Sequence, residues 1–200
     1  MFPAFCLQPT AFSKGVPLDR PSALELLQQY TKSESLIKHM LAVEACMHAY
    51  AKRFEENVEI WGIVGLLHDF DYEMYPNPPD HPQKGSIILK ELGYPDEVIY
   101  AILSHADWTN CPRRSLLDKT LFACDELSGF ITAVALVRPD KKIQGMESRS
   151  VRKKMKDKAF ARSVSREDII KGAQELGMDL DEHISFCIGA LEACSDKLGL

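Results

Sequence analysis

The sequence predicts an all-α protein that folds as a compact helical bundle in a single domain. Apolar residues recur at steps of three and four over residues 34–54, which is the period of an amphipathic α-helix. Pairs of the helix-capping form Ser/Asp-x-x-Asp/Glu open several further segments. The best candidate for a strand is residues 130–137, and its neighbours favour a helix, so no segment is predicted as a strand.

The length and composition of the chain indicate one well-filled core. The chain has 200 residues, 46% of them hydrophobic, and a net charge of −5. Residues 149–166 contain eight Lys or Arg and one acid, a local charge of +7 that leaves −12 for the remainder. Such a segment favours either a nearby anionic ligand or a solvated basic helix face, whereas the acidic remainder argues against a general nucleic-acid binder.

The cysteine pattern indicates a reducing compartment, and the apolar runs are too short for a membrane span. The six cysteines (6, 46, 111, 124, 187 and 194) form no Cys-x-x-Cys pair, and three of them lie in apolar helical patterns as small hydrophobic residues. No apolar run approaches the roughly 18 residues of a membrane span. With no signal-peptide layout at the N-terminus, we expect a cytoplasmic protein.

The first third of the chain is predicted to form an arm followed by three helices. Residues 1–20 hold three prolines and no hydrophobic period, so we expect an extended arm. A capping box of Ser22 and Glu25 opens a short helix, residues 34–54 form the next one, and Asn57 caps the third. The apolar stripe of the second helix consists of Leu36, Met40, Val43, Met47, Tyr50 and Phe54.

The rest of the chain is predicted to alternate helices with loops. After a loop at residues 70–82, Pro82 takes the first position of a helix that Asp80 or His81 caps. The remaining predicted helices are one from Asp96 to His105, one capped by Ser115 and Asp118, the basic segment after a loop at 140–148, and two opened by Ser165 with Asp168 and by Asp179 with Glu182.

A His-Asp doublet at the end of a buried helix is the most informative feature of the sequence. The apolar run at residues 58–67 ends directly in His68 and Asp69. Burying an imidazole beside a carboxylate costs free energy unless a partner offsets the lost hydration. A divalent metal ion takes both groups as ligands, so the doublet predicts a metal site.

Two further residues complete a ligand set for one ion. His39 lies on the flank of an apolar stripe, and Asp125 lies within the apolar run of a later helix. A lone histidine in such a position is more often a hydrogen-bonded core residue, but a buried aspartate needs a cation or several donors. With His68 and Asp69 they form a mixed N/O set that suits Fe, Mn, Zn or Ni rather than Ca or a thiolate-bound metal.

Two more histidines are candidates for a second metal position. His81 lies at a helix start and His105 at a helix end. Either could complete a second position with Asp69 as the bridge, hydrogen-bond a scissile phosphate, or be a surface residue. His48 and His183 have no comparable context and are predicted to be ordinary surface or flanking residues.

The order of these residues in an all-helical chain resembles the HD-domain superfamily of metal-dependent phosphohydrolases. The resemblance covers about residues 30–130, and the added His81-Pro-x-x-Gly and His105 are similar to its dinuclear, HDIG-type branch. It implies an HD-type helical bundle over residues 21–200, with the metal-site core at about 30–130 and C-terminal helices at 148–198. The ligands that it implies are His39, His68, Asp69 and Asp125 for a first metal ion, and His81 and His105 for a second.

The sequence departs from the HDIG pattern at two places. Where that pattern reads His-Asp-Ile-Gly-Lys, this chain reads His68-Asp69-Phe70-Asp71-Tyr72, so a tyrosine replaces the lysine. The Gly-Tyr-Pro motif of cyclic-dinucleotide enzymes does not follow His105, since Gly93-Tyr94-Pro95 precedes it. This argues against cyclic di-GMP hydrolysis. The tail from Ser148 onward is similar to an uncharacterised subgroup of HD hydrolases.

The resemblance implies hydrolysis of a phosphoester by a metal-activated water. Asp69 is the expected catalytic residue, which orients or deprotonates that water. The expected cofactor is one or two divalent ions (Fe, Mn, Zn, Ni, Co or Mg), and the expected substrate is a small phosphorylated molecule such as a nucleotide. The candidates for binding the phosphate are Lys84, Arg152, Lys153 and Lys156. Taken one at a time, each of them is more typical of a side chain that is only solvated.

Two other functions would use the same ligands. A diiron HD-type oxygenase would need a redox-active iron pair, and a non-catalytic helical module would keep the ligands as a structural metal site. The presence of all six ligand candidates argues against a degenerate module. The apolar stripe Ile184, Ile188 and Leu191 predicts either a homodimer surface or packing against the core.

Overall fold

The computed structural model describes residues 17–200, and this part of the chain contains helices and no strand. The prediction of an all-α fold is confirmed. Most of the predicted arm at residues 1–20 lies outside the described residues. Among the helices of the described residues, none is long and apolar enough to cross a membrane. The helices are α1 (Arg20–Tyr30), α2 (Glu34–Arg53), α3 (Val58–Leu67), α4 (Asp80–Glu91), α5 (Asp96–Ser104), α6 (Leu116–Leu136), α7 (Ser148–Met155), α8 (Arg166–Leu176), α9 (Leu180–Glu192) and α10 (Ser195–Leu198), with a 3-10 turn at Asp107–Thr109.

Helices α2, α3 and α6 form the centre of the bundle. The predicted stripe of α2 is buried from Met40 to Tyr50, where it packs against α3 and α6. Every residue of α3 from Trp61 to Leu67 is buried, as expected for a helix that is apolar on all sides. Gly65 permits the close contact with α2, because a Cβ atom there would lie 2.9 Å from the Glu44 Cα. This packing brings the end of α3 into the interior.

Most of the predicted helix starts are confirmed, and the first one is wrong. Helix α1 is capped by Asp19, whose side chain accepts from the Ser22 N–H, so Ser22 lies inside the helix. Pro21 suits the first turn of a helix, because the N–H groups there have no intrahelical partner. Helix α1 therefore begins nearer the N-terminus than predicted. In α4 the backbone is non-helical at His81, so the regular helix begins at Pro82 as predicted.

Two of the predicted capping boxes are only half formed. Ser115 and Asp118 make both bonds of the box. At α8 the Ser165 N–H donates to Glu126 rather than to the acid three residues later. At α9 the cap Asp179 accepts two N–H groups, and the carboxylate of Glu182 instead accepts from the Arg53 guanidinium. In both caps, a hydrogen bond to a residue distant in the sequence takes the place of the bond that would complete the capping box.

The structure corrects three predictions for the C-terminal half. The basic segment 149–166 is helical only to Met155, and turns follow it. The stripe on α9 is buried against the core, so its interpretation as a dimer surface is wrong and the packing alternative is confirmed. His183 is fully buried, donates from Nε2 to the Ala123 carbonyl and accepts from the Tyr50 hydroxyl, so it is not a surface residue.

Candidate metal centre

All six predicted ligands converge on one site in the interior of the bundle. His68 and Asp69 follow the end of the buried α3, and His105 follows the end of α5. His81 occupies the kink of α4, where its extended backbone separates it from the helix that begins at the next residue. The other two, His39 in α2 and Asp125 in α6, lie within long helices.

The first group of ligands surrounds one carboxylate oxygen. Asp125 Oδ1 lies 3.0 Å from His39 Nε2 and 3.4 Å from His68 Nε2. His68 Nε2 is also 3.5 Å from Asp69 Oδ2. One ligand atom from each of these four residues lies within 4.8 Å of all the others, so a single ion could contact all four.

The second group uses the other oxygen of Asp69. Asp69 Oδ1 lies 3.2 Å from His81 Nε2 and 3.3 Å from His105 Nε2, and these three ligand atoms are likewise within 4.8 Å of one another. Asp69 therefore faces the first group with Oδ2 and the second group with Oδ1. Each oxygen of this carboxylate could therefore serve as a ligand in one of the two groups.

Three of the histidines are oriented by hydrogen bonds from the ring nitrogen that faces away from the centre. His68 Nδ1 lies 2.8 Å from the Gly65 carbonyl, and His105 Nδ1 lies 2.5 Å from the Ile102 carbonyl. His81 Nδ1 lies 2.8 Å from Asp71 Oδ1. Because all three partners are acceptors, each Nδ1 bears the hydrogen, which in the neutral ring leaves the Nε2 lone pair directed at the centre.

The buried polar atoms at the centre fit a divalent cation. His68 Nε2 and Asp69 Oδ1 are buried and make no hydrogen bond, since the contacts at 3.2 to 3.5 Å around them lack hydrogen-bond geometry. Unsatisfied groups of this kind are costly in a protein interior. A set of imidazole nitrogens and carboxylate oxygens suits a first-row divalent metal, which would satisfy both atoms.

The charges of the ligands are strongly coupled in the metal-free protein. Burial lowers the pKa of His68, but the carboxylates of Asp69 and Asp125 outweigh burial and raise it to about 9. Burial likewise opposes a raised pKa at His81, where the neighbouring carboxylates of Asp69 and Asp71 bring the pKa to about 9. Although burial favours its neutral form, the Asp69 carboxyl has a pKa well below the usual range because His68, His105 and His81 surround it. A metal ion would replace the protons on these imidazoles.

Asp71 is a site residue that the sequence reasoning did not identify. It is fully buried, and its Oδ1 accepts from His81 Nδ1 while its Oδ2 accepts from the Gly85 N–H at 2.8 Å. A Cβ atom at Gly85 would lie 2.8 Å from the Asp71 Cγ, so a glycine is needed for this contact. The spacing His81-Pro-x-x-Gly, noted in the sequence as part of a resemblance, therefore has a local physical role.

A cavity of about 480 Å³ lies over the two groups of ligands. Its wall contains several acids, two exposed aromatic residues, Tyr72 and Trp108, and the buried Phe122, and no Lys or Arg among the described residues. Glu126 is one of these acids; burial and the neighbouring Asp125 raise its pKa to about 7. The lining residues besides the ligands include Tyr72, Asp107, Trp108, Glu126 and Asp168.

The four residues predicted to bind phosphate do not line this cavity. The side chain of Lys84 is exposed, and Arg152 lies 3.4 Å from Asp181. Lys153 and Lys156 follow Arg152 on α7 and at its end. Sequence reasoning also missed Tyr72 and Trp108, for which the only signal was their position three residues after Asp69 and after His105.

A further group of three thiols lies outside this site. Cys46, Cys124 and Cys187 come from α2, α6 and α9, are fully buried, and have sulfur atoms within 4.8 Å of one another. Burial contributes to a raised pKa for each thiol. Their burial agrees with the prediction that these cysteines pack as small hydrophobic residues.

Comparisons with known proteins match part of this chain to an HD domain and to a ribonuclease. Residues 36–129 match the family model of the HD domain. Ribonuclease Y from Desulfotalea psychrophila is 32% identical over 121 residues, which cover 58% of this chain and 22% of that protein. No solved structure matches the chain.

The matched segment contains the ligands in their helical setting. It begins in α2 before His39 and ends in α6 after Asp125, so it includes both groups. HD domains are generally hydrolases that bind divalent metals, and the His and Asp groups described above could bind such an ion. Residues 36–129 of this chain therefore form an HD domain, the domain that defines the HD-domain superfamily.

Proposed function

We propose that this protein hydrolyses phosphoesters at a two-metal centre. The observation that supports this proposal best is the position of Asp69, whose two carboxylate oxygens face two separate groups of ligands. Two divalent ions at such a site supply Lewis acidity to the phosphoryl oxygens and lower the pKa of bound water. The first group would consist of His39, His68, Asp69 and Asp125, and the second of Asp69, His81 and His105.

The residues of the chain contribute orientation and charge. Asp69 stays ionised because its pKa is low, so its carboxylate could act as a metal ligand and also accept a hydrogen bond from a water molecule. Asp71 fixes the His81 ring through Nδ1, which keeps Nε2 directed at the centre. His68 is fully buried and His105 nearly so, whereas the side chains of His39, Asp69 and Asp125 are 15–22% exposed and face the cavity.

The similarity to a ribonuclease supports phosphoester chemistry, since such an enzyme cleaves phosphodiester bonds. The matched region covers only 22% of that protein, and the cavity described here has no Lys or Arg in its wall. Proteins that bind single-stranded nucleic acid usually combine a positively charged groove with stacking residues. We therefore propose a small phosphorylated substrate rather than RNA, in keeping with the acidic charge of the chain.

The test begins with metal analysis of the purified protein. Phosphate release is then measured from phosphomonoesters and phosphodiesters with Mn, Co, Ni, Fe, Zn and Mg added separately. His68→Ala and Asp69→Ala should each lower turnover by more than about 100-fold, because direct ligands matter more than the outer partners whose loss costs about 10- to 100-fold. His48→Ala is the matched control, since His48 is a half-buried histidine outside the site, and it should retain activity.

The same experiment separates the two competing functions. Oxygen consumption by an iron-loaded protein that cleaves no phosphoester would instead support the oxygenase. Metal ions that raise the unfolding temperature without any turnover would support the structural module. Circular dichroism of the variants checks that they keep the helical fold.

A further inference from the structure

The two exposed aromatic side chains of the described residues lie on the same wall of the metal cavity. Tyr72 is 38% exposed and Trp108 is 49% exposed, and every other aromatic side chain of the described residues is less exposed than these two. Both line the cavity. Full burial of a large apolar side chain contributes about 1.5–3 kcal/mol, and these partly exposed rings forgo a part of it. Two such rings that line one cavity therefore indicate a ligand contact.

Both rings flank the imidazole of His81. The Tyr72 ring centroid lies 5.2 Å from that of His81, and the Trp108 centroid lies 6.3 Å from it. The Trp108 indole N–H donates to the His81 carbonyl at 2.9 Å, which fixes the side chain at one end. The pair of rings therefore stands beside the second group of ligands, within the lining of the same cavity.

The turns that present the two rings are held in place. Tyr72 follows the buried Asp71, and the next residue, Glu73, accepts from the backbone N–H groups of Lys32 and Ser33 at 2.7 and 2.9 Å. Rings on anchored turns lose little conformational freedom when a ligand stacks on them.

The turn of Trp108 is anchored in the same way. Asp107 lies 2.8 Å from Arg113 Nη1 and 2.6 Å from Lys171 Nζ, and Thr109 donates to the carbonyls of Leu103 and Ala106. The two cations are turned toward Asp107 and do not line the cavity. Asp107 is thereby neutralised, while Glu126 and Asp168 remain as acids of the wall.

The charge of the cavity limits how many phosphoryl groups it can accept. Two divalent ions would bring four positive charges, which the carboxylates of Asp69, Asp125, Glu126 and Asp168 would largely balance. With no Lys or Arg in the wall, a second or third phosphate would meet carboxylates without a cationic partner.

Resting on the proposed function, we infer that the substrate is a phosphoester with a single phosphoryl group and a flat aromatic ring in its leaving group, which stacks against Tyr72 and Trp108. The ring would be recognised by its π face, so several aromatic systems should be accepted. Asp168 acts as a specificity determinant that disfavours polyphosphates.

Binding is tested with adenosine and ribose, neither of which can be hydrolysed at phosphorus. Calorimetry on the metal-loaded protein should show adenosine binding at least about tenfold more tightly than ribose, with quenching of tryptophan fluorescence, because the other tryptophan, Trp61, is buried. Tyr72→Ala and Trp108→Ala should each weaken adenosine binding by about 5- to 140-fold, the range for one stacked base. Tyr72→Phe keeps the ring and should bind normally. Tyr100→Ala, a tyrosine outside this cavity, is the control.

Catalysis is tested with adenosine 5′-monophosphate, ribose 5-phosphate and adenosine 5′-triphosphate. We expect kcat/KM to fall by about tenfold or more from the monophosphate to either of the other two, and Asp168→Asn to reduce the discrimination against the triphosphate. Equal kcat/KM for the adenosine and ribose monophosphates, or adenosine binding unaffected by both alanine variants, would overturn the inference. Preferential cleavage of an oligoadenylate would overturn it in favour of RNA. Ring-dependent binding with no phosphoester cleavage would instead refute the proposed function while leaving the aromatic contact established.

Discussion

Replacing Asp71 by Asn tests how the second group of ligands is held. Asp71 is buried and uses both oxygens, one for His81 Nδ1 and one for the Gly85 N–H, each at 2.8 Å. Asn has nearly the same shape but only one acceptor oxygen, and its amide would place N–H donors against one of the two N–H groups. The substitution therefore removes one bond and the negative charge without creating a cavity.

The expected loss of metal-binding free energy in Asp71→Asn follows from two independent estimates. A hydrogen bond to a charged group contributes about 1.5–3 kcal/mol. Loss of an outer partner of a metal-bound histidine costs about 10- to 100-fold in metal affinity, which is about 1.4–2.8 kcal/mol. The two ranges agree, and the loss should fall on the ion bound by His81 and His105, because Asp71 does not contact the group around His39.

The assay is a metal titration with calorimetry and elemental analysis. We expect two classes of sites in the original protein, and in Asp71→Asn a selective weakening of one class by about 10- to 100-fold. Asp118→Asn is the matched control: Asp118 is also a buried carboxylate that accepts two N–H groups, but it caps α6 away from the ligands. Unchanged affinity in Asp71→Asn, or equal weakening of both classes, would refute the reasoning.

Three further predictions concern proton release, the stability of the metal-free fold and the packing of α8. Because the pKa values of His68 and His81 are raised to about 9, metal binding at pH 7.5 should release protons and tighten up to about pH 9, which calorimetry in buffers of different ionisation enthalpy measures; binding without proton release would contradict this. The same raised values stabilise the metal-free fold below about pH 6.5, and this stabilisation is lost as the pH rises through 9. Gly172→Ala should lower the free energy of unfolding by about 1–3 kcal/mol, since the new Cβ would lie 2.6 Å from the Ala123 Cα, whereas Gly189→Ala meets no atom within 4 Å and should show no such loss in a denaturant titration.

The helical architecture could be predicted because local signals determine most of it. The stripe of α2 has the helical period, and Ser115 with Asp118 forms the predicted capping box. The predictions that failed depend on distant residues. Glu126 of α6 takes the N–H of Ser165, and His183 is buried because it hydrogen-bonds to residues more than 50 positions away.

The ligands could be predicted because a polar residue in an apolar helix is visible in the sequence. His68, Asp69 and Asp125 each follow or interrupt an apolar run, and the structure brings them together. Asp71 carried no such signal, since it lies in a polar loop and its hydrogen-bond partners, His81 and Gly85, lie 10 and 14 residues later on α4. The exposure of Tyr72 and Trp108 likewise results from tertiary packing and cannot be read from hydrophobic period.

The basic segment 149–166 contributes to the wall of the metal cavity but adds no positive side chain to it. The Arg166 guanidinium donates to the carbonyls of Ala161 and Val164 at 2.6 Å and also to that of Phe160, which closes the turn before α8. That turn supplies Ser163 and Val164 to the cavity wall. The arginine is thus occupied by backbone carbonyls behind the wall. Neutralisation of a bound phosphate would then rest on the metal ions, so activity should be lost completely on chelation and should not be rescued by raising the substrate concentration.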